Sequence, residues 1–279
     1  GSVAGAISAS LVNIALVGQG SWWWPEDVNP AWADELNSAD RSGGATFTFT
    51  RPASETSRTA LAASWQQSDR EVPRLEGMQL VDTTRYPLES LRSAVGQRLI
   101  GDCVRSFAND GAVVLPGFLT ADAVESIARE GHAQISRAFF CRSEHTVFLD
   151  EGRPGDGSNE SDPLDPRQRM LRTHVGSIAN DFLDPQGALQ QLYEWVPLTA
   201  FVGAVLGHAN FHRGADPLGA LSINVYGQGD LHEWHFDESQ FSVTIMIQEA
   251  EVGGHFEYVS GLRSDGHVDI AGIQQVLDG

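Results

Sequence analysis

The segment His232-Glu-Trp-His235-Phe-Asp237 holds residue types at a spacing from which metal chemistry can be built. On an extended strand alternate side chains point the same way, so His235 and Asp237 share one face and Phe236 takes the other. A neutral imidazole beside a carboxylate supplies two donors of the two-His, one-carboxylate set that suits Fe(II) and leaves coordination positions open. A zinc-protease helix fits less well. It needs His-Glu-x-x-His, with imidazoles one turn apart, whereas His232 and His235 are separated by three positions in strand-and-turn surroundings. His232 is therefore expected to line the pocket and not to be a ligand.

Strands must hold such a pair, and the sequence supplies them. Leu221-Ser-Ile-Asn-Val-Tyr226, Phe241-Ser-Val-Thr-Ile-Met-Ile-Gln248 and His255-Phe-Glu-Tyr-Val259 read as strands, joined by turns at Gly227-Gln-Gly229 and Gly253-Gly254. Upstream the period is helical: Leu88, Leu91, Val95, Leu99, Val104 and Phe107 predict one helix of about twenty residues, stopped at Asn109-Asp-Gly111. Residues 112–118 read as a short apolar strand, and Thr120 as the cap of a helix from Ala121 to about Arg137. Residues 187–195 and 198–206 are helical pieces broken by Pro197 and ended by Gly207. Gly152 to Asp165 is a loop by composition, of the kind that can cover a site. Helices first and antiparallel strands later give an α+β domain whose sheet is expected to begin near residue 220.

Residues 1–75 differ in texture and form an unassigned N-terminal region. They contain a mildly apolar run from Val3 to Gly18, a Trp22-Trp23-Trp24 triplet expected to pack in a core or interface, and residues 44–50, where Thr and Phe alternate as in a half-buried strand.

At 279 residues, with 41% apolar content, the chain can bury a sizeable core. Its net charge of −19, with arginine as the sole basic residue besides histidine, repels phosphate backbones and anionic lipid. Nucleic-acid and membrane-surface partners are set aside, although a local Arg cluster could still hold a small dianion. Cys103 and Cys141, read as lying in a helix and at a helix end, are too few for a disulfide framework. They imply free thiols in a reducing, cytoplasmic setting.

Tyr226-Gly-x-Gly followed by His235-x-Asp237 resembles the start of the double-stranded β-helix in Fe(II)/2-oxoglutarate-dependent dioxygenases of the prolyl-hydroxylase-like type. Residues 241–248, Gly253-Gly-His-Phe-Glu-Tyr258, Gly117-Phe118 and Arg137-Ala-Phe-Phe-Cys141 resemble a bacterial branch of that superfamily. The resemblance covers residues 85–279 and implies a small-molecule substrate and a jelly roll preceded by packing helices. It makes His235 and Asp237 the iron ligands, and Tyr226, with Asn224 two positions earlier, the contacts to 2-oxoglutarate. The carboxylate at Asp237 implies oxygenation, since halogenating relatives have a small residue there. Where such proteins often carry a Tyr, this chain has His232. The alternative is a non-catalytic β-helix module, or a degenerate homologue that binds without turnover.

The third ligand of that family is a distal His followed by an Arg. Only 44 residues follow His235, too few for the roughly five further strands of a closed jelly roll. His255 and His267 lack the expected surroundings, and residues 270–278 read as a short helix. The sequence is thus expected to stop in mid-domain, with unpaired sheet edges left exposed.

Overall fold

The computed structural model describes residues 9–14, 16–18, 47–50, 79–149, 165–214, 216–237, 241–250, 252–264 and 267–279, with backbone alone for those before residue 79. The expected loop between Gly152 and Asp165 and the Trp22–Trp24 triplet lie outside these residues, save Asp165 itself.

The helices form a layer behind one sheet. A 3-10 turn at Leu88–Ser90 precedes helix α1, Ala94–Asp110, so the single helix expected from Leu88 onward is divided. The divide follows from Ser93, whose extended backbone and hydroxyl cap the helix by accepting the Gly96 N–H at 3.1 Å. Restarting at Ala94 puts Gly96, Cys103 and Phe107 on the buried stripe, with Leu99 and Ile100 packed beside them, and leaves Val95 and Val104 exposed. Gly111, at φ 74°, ends the helix in the left-handed conformation. Thr120 caps helix α2, Ala121–Gln134, as expected, and a 3-10 turn continues it to Arg137. Helices α3, Ala188–Glu194, and α4, Val196–Leu206, meet at Trp195. Pro197 lies inside the first turn of α4, where its missing N–H costs nothing, and Gly207 ends that helix at φ 72°.

The strands are β1 (Ala9–Ile14), β2 (Leu16–Gly18), β3 (Phe47–Thr50), β4 (Ala112–Val114), β5 (Phe139–His145), β6 (Leu171–Ala179), β7 (Phe211–Arg213), β8 (Leu221–Tyr226), β9 (Leu231–His232) and β10 (Val243–Gln248). Eight of them form one antiparallel sheet in the order β4-β3-β10-β1-β8-β6-β5, with β9 paired to β6. The sheet does not begin near residue 220: strands from both the N-terminal region and the helical part join it. Cys141 accordingly lies within β5, not at a helix end. Strand β10 is flanked by β1 on one side and β3 on the other.

The two faces of the sheet differ. Leu221, Ile223 and Val225 alternate with less buried Ser222, Asn224 and Tyr226 along β8. The apolar side, with Ile178, Val243, Ile245 and Ile247, joins Phe118, Ile127, Leu189, Leu198 and Phe201 of the helical layer in the main core. A second, smaller core gathers Val147, Leu171, Phe236 and Leu262 under helix α5, Ile270–Asp278, through Ile273 and Leu277. Residues 255–259, expected as a strand, have no ladder partner among the described residues, and Tyr258 and Val259 pack against this second core. The architecture is mixed helix and open antiparallel sheet, an α+β fold. Among the described residues no helix is long and apolar enough to cross a membrane.

Candidate metal centre

His235 and Asp237 lie in a loop, not on a strand, because the ladder that carries them runs out. Strand β9 runs antiparallel to β6, which begins at Leu171, and the last bridge is Thr173 to His232. Beyond it the Glu233 N–H donates to the Arg172 carbonyl at 3.0 Å and the Phe236 N–H to the Val147 carbonyl at 2.8 Å. These two bonds pin the loop on either side of His235. Phe236 is 2% exposed and stacks on Phe148 at 5.3 Å between centroids. The alternation expected of a strand therefore survives: Phe236 anchors the loop in the second core, while His235 and Asp237 meet on the other side.

The His235 Nε2 to Asp237 Oδ1 distance is 3.1 Å, and His235 Nδ1 lies 2.8 Å from the Glu233 carbonyl. A carbonyl and a carboxylate only accept, so both ring nitrogens donate and the imidazole carries a proton on each. Burial pulls the His235 ring toward neutrality, but the hydrogen bond and charge of Asp237 outweigh it and hold its pKa above the usual imidazole value. Burial likewise acts to raise the Asp237 carboxyl. The partnership with His235 and the hydroxyl of Ser242, which donates to Asp237 Oδ2, overcomes this and keeps it below the usual carboxylate range.

Around the pair, His232 lies flat on His235, with ring centroids 3.9 Å apart and planes 10° from parallel. His232 keeps an exposed edge, yet crowding around its ring and the adjacent charge of His235 pull its pKa down, so this imidazole stays neutral. His145, at the end of β5, presents its edge to His232 at 5.9 Å and to His235 at 6.2 Å. Its Nδ1 donates to the Thr146 carbonyl at 2.8 Å, and its Nε2 is hydrogen-bonded to the Thr173 hydroxyl at 2.7 Å. Tyr226 belongs to the same site: burial first, then the charges of Asp237 and Asp230, push its phenol up to about 12, and it remains a donor at neutral pH. Asn224 shares Tyr226's half-buried face of β8.

Two donors about 2.1 Å from an octahedral ion and at a right angle to each other sit about 3.0 Å apart, so the His235–Asp237 pair has the spacing of adjacent ligands. The Glu233 carbonyl holds Nδ1 and Ser242 fixes the carboxylate, so both groups that would hold an ion are oriented from behind. An ion there would replace the Nε2 proton. Among the described residues no three His, Cys, Asp or Glu side chains are grouped to hold a metal. His255 is exposed, and the side chain of His267 lies outside the described residues. Arg172 pairs with the Glu233 carboxylate at 3.4 Å, and Arg263 lies 5.5 Å over the Phe236 ring.

Sequence reasoning placed His235, Asp237, Tyr226 and His232 near one another, and the structure brings these together. It missed His145, Thr173 and Ser242. Ser242 carried a local signal, five residues beyond Asp237. His145 and Thr173 carried none, being brought in by the pairing of β5, β6 and β9.

The class defined by fold and site is an α+β protein with a His-x-Asp pair in a loop on the polar side of an open sheet. No protein-family model matches the chain, and no curated protein and no solved structure does so either.

Proposed function

We propose that the chain carries the His-x-Asp part of a non-haem iron, 2-oxoglutarate-dependent oxygenase that hydroxylates a small molecule, amino acid or peptide, and that its sheet is part of a double-stranded β-helix. The observation that supports this best is the 3.1 Å separation of His235 Nε2 and Asp237 Oδ1, the spacing of two adjacent octahedral positions. His235 and Asp237 would hold Fe(II). Tyr226, kept protonated, and Asn224 on the same face would donate hydrogen bonds to 2-oxoglutarate. Iron and cosubstrate together supply the oxidising chemistry, and the protein supplies orientation and dryness. The neutral ring of His232 shields one side of His235 from water, and Phe236 anchors the loop from behind. In this reading the enzyme works in the cytoplasm, where its two free thiols stay reduced.

A second reading, a β-helix module that binds without turnover, is favoured by one observation: no third ligand joins the pair among the described residues. Adding Fe(II) and 2-oxoglutarate without oxygen, and then admitting oxygen, separates the two. The oxygenase is expected to give a weak visible charge-transfer band and then succinate. A folded chain that gives neither supports the module.

A further inference from the structure

Both ladder neighbours of β10 come from the first fifty residues: β1 pairs with it on one side and β3 on the other. Strand β1 also pairs with all of β8, from Ala9 opposite Tyr226 to Ile14 opposite Leu221. Strands β8 and β10 are each antiparallel to β1, hence parallel to each other, with one strand's width between them. That slot separates the two walls of the candidate site. One wall carries Asn224 and Tyr226. The other begins one residue after Ser242, whose hydroxyl holds Asp237. Neighbouring strands lie about 4.8 Å apart, so emptying the slot and letting it close would shift one wall against the other by about that much.

An empty slot would offer two facing rows of backbone N–H and C=O groups, a template for an extended antiparallel segment. The segment that fills it lies far from β8 and β10 in sequence, so its pairing carries a large loop-closure cost and is expected late in folding. A second anchor follows at once, since β2 pairs with β7 through Leu16 with Arg213, Val17 with His212 and Gly18 with Phe211.

We propose that residues 9–14 are a donor strand, which seats from its own chain into an acceptor slot between β8 and β10 and thereby sets the spacing at which Tyr226 and the Asp237–Ser242 pair face one site. The metal-binding consequence rests on the oxygenase reading. The seating of the strand does not.

The test uses the full chain with Val12→Pro. Val12 pairs with Ile223 on one side and Ile245 on the other, and proline in a central strand removes a ladder hydrogen bond. Hydrogen exchange is followed with and without a synthetic peptide of residues 8–18. Amides of β8 and β10 are expected to exchange at least about tenfold faster in the variant, with α1, α2 and α4 still protected. One equivalent of peptide should restore protection, and the same peptide carrying the proline should not. Unchanged protection of β8 and β10 in the variant overturns the proposal, as does protection lost anywhere in the fold that the peptide does not restore. Protection in the wild type that depends on concentration and accompanies a dimer assigns the slot to a second copy, which also overturns it. Peptide rescue in a protein that binds no Fe(II) supports the donor strand and removes the metal reading.

Discussion

At the scale of single residues, the site is a His235–Asp237 ion pair, which in the proposed function would exchange its shared proton for a metal. His235 Nε2 and Asp237 Oδ1 already stand at ligand spacing, each held by a further group, the Glu233 carbonyl for the ring and the Ser242 hydroxyl for the carboxylate. Groups that orient a ligand without touching the metal commonly contribute ten- to hundredfold in affinity. Ser242→Ala should therefore weaken Fe(II) binding by about ten- to hundredfold while leaving the melting temperature close to that of the wild type. An affinity that does not move in an anaerobic titration would show that the hydroxyl does not orient the carboxylate. The pair was legible in the sequence because both residues fall within three positions, and the alternation that puts Phe236 on the opposite side operates even in a loop. His145 and Thr173 were not legible, because cross-strand pairing brings them there and no local spacing encodes it.

At the scale of elements, helix α3 shows how a polar group can be recruited across the fold. Its N-cap is Gly187, which has no side chain to offer, and Glu130 of α2 takes over by accepting the Ala188 N–H at 2.6 Å. A Cβ at Gly187 would lie 2.6 Å from Glu130 Oε2, so glycine is needed for the carboxylate to reach the helix end. Burial raises the Glu130 pKa above its ordinary 4.5, against the lowering effect of the backbone hydrogen bonds. A raised folded-state pKa means that the folded state binds the proton more tightly than the unfolded one. The stability this contributes is complete below the unfolded pKa and is lost as pH rises through the folded value. Glu130→Gln stays neutral and keeps an acceptor for Ala188, so its melting temperature should fall less than that of the wild type as pH rises above about 4.5. Parallel melting curves across that range would show that Glu130 does not carry the titration. The helices α1, α2 and α5 were readable because caps and apolar spacing are local. The sheet order was not: Ala9-Ser-Leu-Val-Asn-Ile14 has little strand signature, yet lies at the centre of the sheet, with both partners far along the chain.

For the whole molecule, one sheet with an apolar face against the helices and a polar face toward the site accounts for why the chemistry-bearing residues gather on one side. The net charge of −19 gives the molecule a field that favours the approach of cations over polyanions. The central claim is that this fold presents His235 and Asp237 as ligands to one ion. Anaerobic calorimetric titration of Fe(II) into the full chain, and into His235→Ala and Asp237→Ala, tests it most directly. The expected result is one ion per chain in the wild type and an affinity at least about a hundredfold lower in each variant. Binding that neither substitution alters, or a folded wild type that binds no ion, would contradict it.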